Sequence, residues 1–160
     1  YLLKMAKAPS VQFPVQMSYT YTQATFAETF INGGGDWGSG QINSGDQIPF
    51  ITPHLLSGSI GFTYKKGSAV WSANRVGLTR TTPGQNDNVI PTANQNYIQV
   101  NSIQSFTIFD FSANLQVNKS WVVYTTVQNI GNNLSIVANL PQGYRSALPR
   151  SLILGLKLNL

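Results

Sequence analysis

Few residues in this chain can do chemistry. Among 160 residues there is one histidine, His54, and no cysteine. A bound metal needs several ligands. His54 is therefore expected to cap or hydrogen-bond a loop-to-strand corner, with no metal site. No Ser/His/Asp set and no paired carboxylates appear, so the chain is not read as an enzyme and no cofactor is expected. Gly33 to Gly35 form no phosphate loop, because no Lys-Ser/Thr follows them and no helix starts there. What remains is the guanidinium of Arg75, Arg80, Arg145 and Arg150, a planar fork suited to carboxylates.

The elements that must position these groups show no sustained helical period. Alternation runs throughout. From Val11 to Tyr21 the odd positions are apolar, and the even ones are polar apart from Pro14. Further strands are expected at 54–65 (Leu56, Ile60, Phe62 and Tyr64 on one face), 106–117, 121–129 and 151–160, and 69–80 is a further candidate whose pattern is ambiguous. In 106–117, Phe109, Phe111, Ala113, Leu115 and Val117 oppose Asp110, Ser112, Asn114 and Gln116. In 121–129, Trp121, Val123 and Val127 share a face. The last strand sets a leucine at every second position from Leu152 to Leu160. Tight turns fall at Lys65–Ser68 and Asn118–Ser120. The connections near 27–49, 81–104 and 130–150 run to about twenty residues, long enough to be functional. In an antiparallel sheet all three lie at one end.

Composition narrows the class. Charged residues are only 9%, while hydrophobic residues are 42%; about 25% charged is usual in soluble proteins. The net charge is +5, but the cations are scattered, and no nucleic-acid partner is expected. Short turns at one end, long loops at the other and strands of about ten residues are the marks of an outer-membrane barrel. The sequence is thus read as all-β, an antiparallel transmembrane β-barrel segment of about six strands. A soluble β-sandwich is the alternative; its polar face normally carries many charges. Tyr19, Tyr21, Tyr64, Phe109, Phe111 and Trp121 fit aromatic girdles. Lys65, Lys66, Lys119 and Lys157 gather near the short-turn end. Barrels have eight or more strands, and an open edge in lipid leaves backbone groups unpaired, so the sheet is expected to continue into strands of the same polypeptide or of another copy. The start "YLLKMAKAPS" reads as internal, so residues 1–160 are expected to be part of a longer polypeptide.

Arg75 and Asp110 are the charges inside the strands. An arginine on the lipid face near the midplane costs about 2–4 kcal/mol. Arg75 is therefore expected to point inward, with Val70, Val76 and Leu78 toward lipid. Asp110 lies on the polar face of the next strand. Either the two pair in the lumen or touch a plug, or they stand as separately solvated lumen charges.

Two stretches carry a resemblance. "IPFITPHLLSGSIGFTY" (Ile48 to Tyr64) is similar to an Ile-Pro-Tyr-Ile-Pro-Glu-His segment that leads into a strand. The tail, "VQNIGNN" and then "PQGYRSALPRSLILGLKL", carries Asn129, Ile130, Pro141, Gly143, Arg145, Pro149, Arg150 and Gly155 at the places of an Asn-Leu, Pro-x-Gly-x-Arg, Pro-Arg and Gly pattern. "FDFSANLQVNKSW" matches the strand-turn before it. Together these resemble the C-terminal part of a TonB-dependent outer-membrane receptor of the ferric dicitrate type. The resemblance implies a barrel of about 22 strands, with the plug, the TonB-contact motif and most strands preceding residue 1. It also implies a bacterial outer-membrane location, lipid and the TonB complex as partners, and uptake of a ferric chelate, either ferric citrate or another siderophore. A passive porin-like or structural barrel is the alternative. For an anionic chelate, Arg80 and Arg145 are candidate contacts. The Gly-x-Arg and Pro-Arg elements are alternatively braces for the last loop. Two departures stand out: Leu160 falls where such proteins end in an aromatic, and 129–133 reads Asn-Ile-Gly-Asn-Asn.

Overall fold

Strand periodicity and turn chemistry together build a long antiparallel sheet in the computed structural model of the chain. The structure describes residues 2–3, 11–34, 39–83, 89–91, 97–99, 102–139 and 143–159. In chain order the strands are β1 (Leu2–Leu3), β2 (Val11–Tyr21), β3 (Phe30–Gly33), β4 (Ser39–Ile42), β5 (His54–Tyr64), β6 (Gly67–Val76), β7 (Thr79–Arg80), β8 (Val89–Pro91), β9 (Tyr97–Gln99), β10 (Ser102–Ile103), β11 (Phe106–Gln116), β12 (Trp121–Gln128), β13 (Ile136–Ala138), β14 (Arg145–Ser146) and β15 (Ser151–Leu158). Seven form one sheet in the order β1-β2-β5-β6-β11-β12-β15, which does not close on itself. The six long strands are those expected. The seventh, β1, was not: Leu2 and Leu3 pair with Pro14 and Phe13.

β2, β5 and β11 have 11 residues each. At about 3.3 Å per residue and a tilt near 45°, such a strand crosses about 26 Å, the height of an outer-membrane apolar band. Only Lys65 and Lys66 separate β5 from β6. At the β11–β12 turn, Asn118 Oδ1 accepts the backbone N–H groups of Ser120 and Trp121, both at 2.9 Å. The long connections are not bare loops. They contain the hairpin β3–β4, the pair β7–β10, and the hairpins β8–β9 and β13–β14.

The register sorts side chains into two faces, because directly paired residues share a face. One row runs Val15, Ile60, Trp71, Phe111, Val127 and Leu152 through successive strands. With Met17, Phe62, Leu115, Val123, Leu154 and Leu156 it makes an apolar face. The opposite face carries Gln16, Ser59, Ser72 and Asp110 in the same way. Tyr19 and Tyr21 flank the apolar face at the long-loop end, and Tyr64 and Trp121 at the short-turn end. Phe109 and Phe111 do not join a girdle: they lie inside β11, Phe111 against Trp71 with ring centroids 4.8 Å apart.

The parity expected for 69–80 is overturned. Arg75 pairs with Leu56 and Thr107 and therefore lies on the apolar face, whereas Val70 and Val76 lie on the polar one. The reason is the turn. Two residues between β5 and β6 set Tyr64 opposite Gly67, which places odd-numbered β6 residues beside the apolar even-numbered residues of β5. Leu78 falls outside the strand.

Among the described residues nothing covers the apolar face. Leu152, Leu154, Leu156 and Met17 are 63%, 70%, 67% and 76% exposed. The only buried hydrophobic side chains among the described residues, Ile42 and Ile103, belong to the loop end. A compact protein of this mass exposes about 7,900 Å², whereas this chain exposes 11360 Å². A β-sandwich would have buried that face between its sheets.

Two close approaches shape the polar face. A Cβ on Gly155 would lie 2.0 Å from Tyr124 Cζ, so the ring of its cross-strand partner lies directly over the glycine. At Gly61 a Cβ would lie 2.7 Å from Pro14 Cγ, and the β2–β5 register is interrupted at Phe13 and Pro14. Proline has no N–H to give to the ladder.

Candidate functional site

Among the described residues the buried polar side chains gather at the long-loop end rather than inside the six long strands. Thr81 is fully buried, and Thr79, Ser102, Asp46, Asn129 and Asn139 are nearly so. Burial of such groups is tolerated only when they are hydrogen-bonded. Their bonds link the three long connections. Thr52 and Thr79 hydroxyls meet at 2.6 Å, and Phe50 donates its N–H to Arg80 O at 2.7 Å. Asn139 Nδ2 donates to Thr81 Oγ1 at 3.1 Å. Within the first connection, Asp46 Oδ2 accepts Asn43 N–H at 2.8 Å, and Phe26 N–H donates to Asp46 O.

This network links the strand pairs that carry two of the candidate arginines. Arg80 precedes Thr81 and pairs with Ser102. Arg145 pairs with Ala138, the residue before Asn139. The Thr81–Asn139 bond therefore joins the two strand pairs that carry them. Arg80 is half-buried and Arg145 exposed.

The tail residues form a second, tighter arrangement. Asn129 is 4% exposed and has φ of 50°, the left-handed conformation that Asn tolerates better than most residues. Its N–H donates to Asp110 Oδ1 at 2.8 Å. Its Nδ2 donates to Asn133 O at 2.9 Å and Leu148 O at 2.7 Å, and its Oδ1 accepts Asn133 N–H at 2.9 Å. Asn133 Nδ2 reaches Thr107 O at 3.1 Å. Asn132 Oδ1 accepts Arg150 N–H at 3.0 Å. The last loop is thus braced through the backbone of Leu148 and Arg150, held by asparagine side chains. Gly143 has φ of 92°, Pro149 is exposed, and Pro141 and Leu160 lie outside the described residues.

The Arg75–Asp110 pair does not form. Arg75 partners Thr107 and Asp110 partners Ser72 in the β6–β11 register, so the two point to opposite faces. Arg75 instead donates to Thr107 Oγ1 at 3.2 Å and Ser105 Oγ at 3.4 Å. Asp110 serves the Asn129 turn. His54 does bond at the strand corner: its Nδ1 meets Tyr19 Oη at 2.8 Å, and Gly77 N–H donates to His54 O at 2.8 Å. Among the described residues no group of three or more His, Asp or Glu could hold a metal ion. Of the three glycines at 33–35, Gly33 ends β3, Gly34 has φ of 128°, and Gly35 lies outside the described residues.

Sequence reasoning missed the threonine–asparagine network and the Asn129 clamp. The spacing "NIGNN" held a signal for the clamp, since closely spaced asparagines bond locally to backbone. The threonines gave none, because their contacts join distant segments.

An uncovered apolar face, a polar face nearly free of charge, and linked loops at one end belong to the wall of an outer-membrane β-barrel. Such walls serve passive pores and energised receptors alike. The sequence is more particular: residues 7–130 match the family described as TonB dependent receptor-like, beta-barrel, and the chain belongs to it. Comparison with curated proteins and with solved structures returned no match.

Proposed function

We propose that residues 1–160 are the C-terminal wall of a TonB-dependent receptor in the bacterial outer membrane, and that the receptor takes up an anionic ferric chelate, with ferric citrate first in line. In this reading the plug, the TonB-contact segment and the remaining strands belong to the same polypeptide and close the sheet from β15 round to β1. The observation that supports the ligand class is the Thr81–Asn139 bond, which links the two loop strand pairs carrying Arg80 and Arg145. Guanidinium forks at the mouth of a barrel suit the carboxylates of a citrate complex.

The test is uptake of radiolabelled ferric citrate by cells whose only ferric citrate receptor is this one. Uptake is expected to require TonB and to fall about tenfold or more in Arg80→Ala/Arg145→Ala, the effect of losing charge-assisted contacts. Uptake that persists without TonB would identify a passive barrel. TonB-dependent uptake that is unchanged in the double variant would remove both arginines from the ligand site.

A further inference from the structure

Arg75 is a cation on the face that should avoid charge. It is the penultimate residue of β6 at the long-loop end, in register with Leu56 on one side and Thr107 on the other. It is exposed, and its bonds go to two hydroxyls, Thr107 Oγ1 and Ser105 Oγ. Among the described residues it meets no carboxylate. The one acid within the described strands of the sheet, Asp110, is on the opposite face.

The hydroxyls fix the guanidinium along the rim without neutralising it. Each accepts one N–H and keeps its own O–H to donate. The remaining guanidinium N–H groups and the two hydroxyl protons therefore form a donor set around one positive charge, which fits a tetrahedral phosphate. Directly below, toward the middle of the strands, the apolar face has a notch. Gly58 and Ala73 are cross-strand partners two residues from Leu56 and Arg75, and in the same row Met17 and Phe109 stand on either side of them. Ile60 and Trp71 close the notch in the next row. A donor set above a notch walled by apolar side chains matches a headgroup joined to an acyl chain better than a free ion.

We propose that Arg75, Thr107 and Ser105 bind the phosphate of a phosphorylated lipid of the outer leaflet, with its chain laid over Gly58 and Ala73. This rests on the outer-membrane reading above, in which long loops mark the extracellular side.

The test uses the whole receptor, extracted from outer membranes in mild detergent, delipidated, and examined by native mass spectrometry. The probes are dioleoyl phosphatidic acid, dioleoylglycerol and inorganic phosphate. The wild type is expected to retain phosphatidic acid but not dioleoylglycerol, and excess inorganic phosphate should not displace it. Retention in Arg75→Gln should fall about tenfold, the size of one charge-assisted contact. Equal retention by Arg75→Gln would overturn the site. Equal retention of dioleoylglycerol would reduce it to ordinary apolar wetting, and displacement by inorganic phosphate to a free-anion site. If Arg75→Gln fails to give the heat-modifiable folded band, Thr107→Val/Ser105→Ala takes its place. That variant keeps the charge and should still lose retention severalfold; equal retention there also overturns the proposal. A receptor absent from the outer-membrane fraction would refute the membrane reading itself, and this site with it.

Discussion

Gly155 offers the sharpest test of the packing. Its cross-strand partner Tyr124 lies over it, so that a Cβ would sit 2.0 Å from Cζ, 2.3 Å from Oη and 2.6 Å from Cε1. Carbon atoms rest at about 3.5 Å or more, so Gly155→Ala must drive the ring away by about 1.5 Å. Overpacking of this kind costs about 1–3 kcal/mol. Tyr124 is 42% exposed and can swing toward the open polar side, which holds the cost to about 1–2 kcal/mol. Alanine also stiffens the unfolded chain and recovers about 0.5–1 kcal/mol relative to glycine. The net expectation is a loss of about 0–1.5 kcal/mol in the wild-type background. In a Tyr124→Ala background no ring opposes the new methyl group, and Gly155→Ala should stabilise by about 0.5–1 kcal/mol. The predicted coupling is therefore about 1–2 kcal/mol, within the range for touching residues. The assay is urea-driven unfolding of the complete barrel in phospholipid vesicles, with heat-modifiable migration as the independent readout. A Gly155→Ala effect of the same sign and size in both backgrounds would refute the ring-over-glycine argument.

Two further outcomes follow from the geometry. Asn129→Ala removes two donated bonds and one accepted bond and puts alanine in a left-handed conformation. A loss of about 2–4 kcal/mol is expected, read as faster proteolytic cleavage between residues 130 and 150; Asn129→Gly should recover the backbone share alone. Leu154→Lys places a charge at the middle of the apolar face, beside Thr125. It should cost about 2–4 kcal/mol if that face meets lipid, seen as loss of the folded, heat-modifiable form; wild-type assembly would contradict the orientation of the sheet.

Much of the wall was legible because alternation is a direct imprint of the pleat. The leucines of β15 and the split between Phe109 and Asp110 in β11 each assign a face without further information. The parity of β6 was legible too, but the signal lay in the turn rather than the strand. Taking Lys65–Ser68 as the turn leaves the pairing open, whereas a two-residue turn forces Tyr64 against Gly67 and carries Arg75 to the apolar side. The energetic argument for turning Arg75 inward assumed a position near the midplane. At the rim the cost falls to about 0–1 kcal/mol, too little to decide the parity. The loop hairpins and the Thr52–Thr79 and Thr81–Asn139 bonds were not legible. They depend on contacts between segments 27 and 58 residues apart, which no local pattern encodes. β1 escaped notice because two residues are too few to show a period.

The polar face has a mechanical consequence for anything that moves past it. Within the described strands its only charges are Asp110, near the loop end, and Lys157, near the turn end. Between them lie hydroxyls and amides such as Thr63, Ser68, Ser112, Asn114 and Thr126, with Val70 and Ile153 among them. Each bond such a group makes is worth about 1 kcal/mol net and is readily exchanged for water. A sliding object would meet many shallow wells in succession and no deep electrostatic trap. The wall is, in effect, a low-friction bearing, whose grip is spread thinly enough to be released one contact at a time.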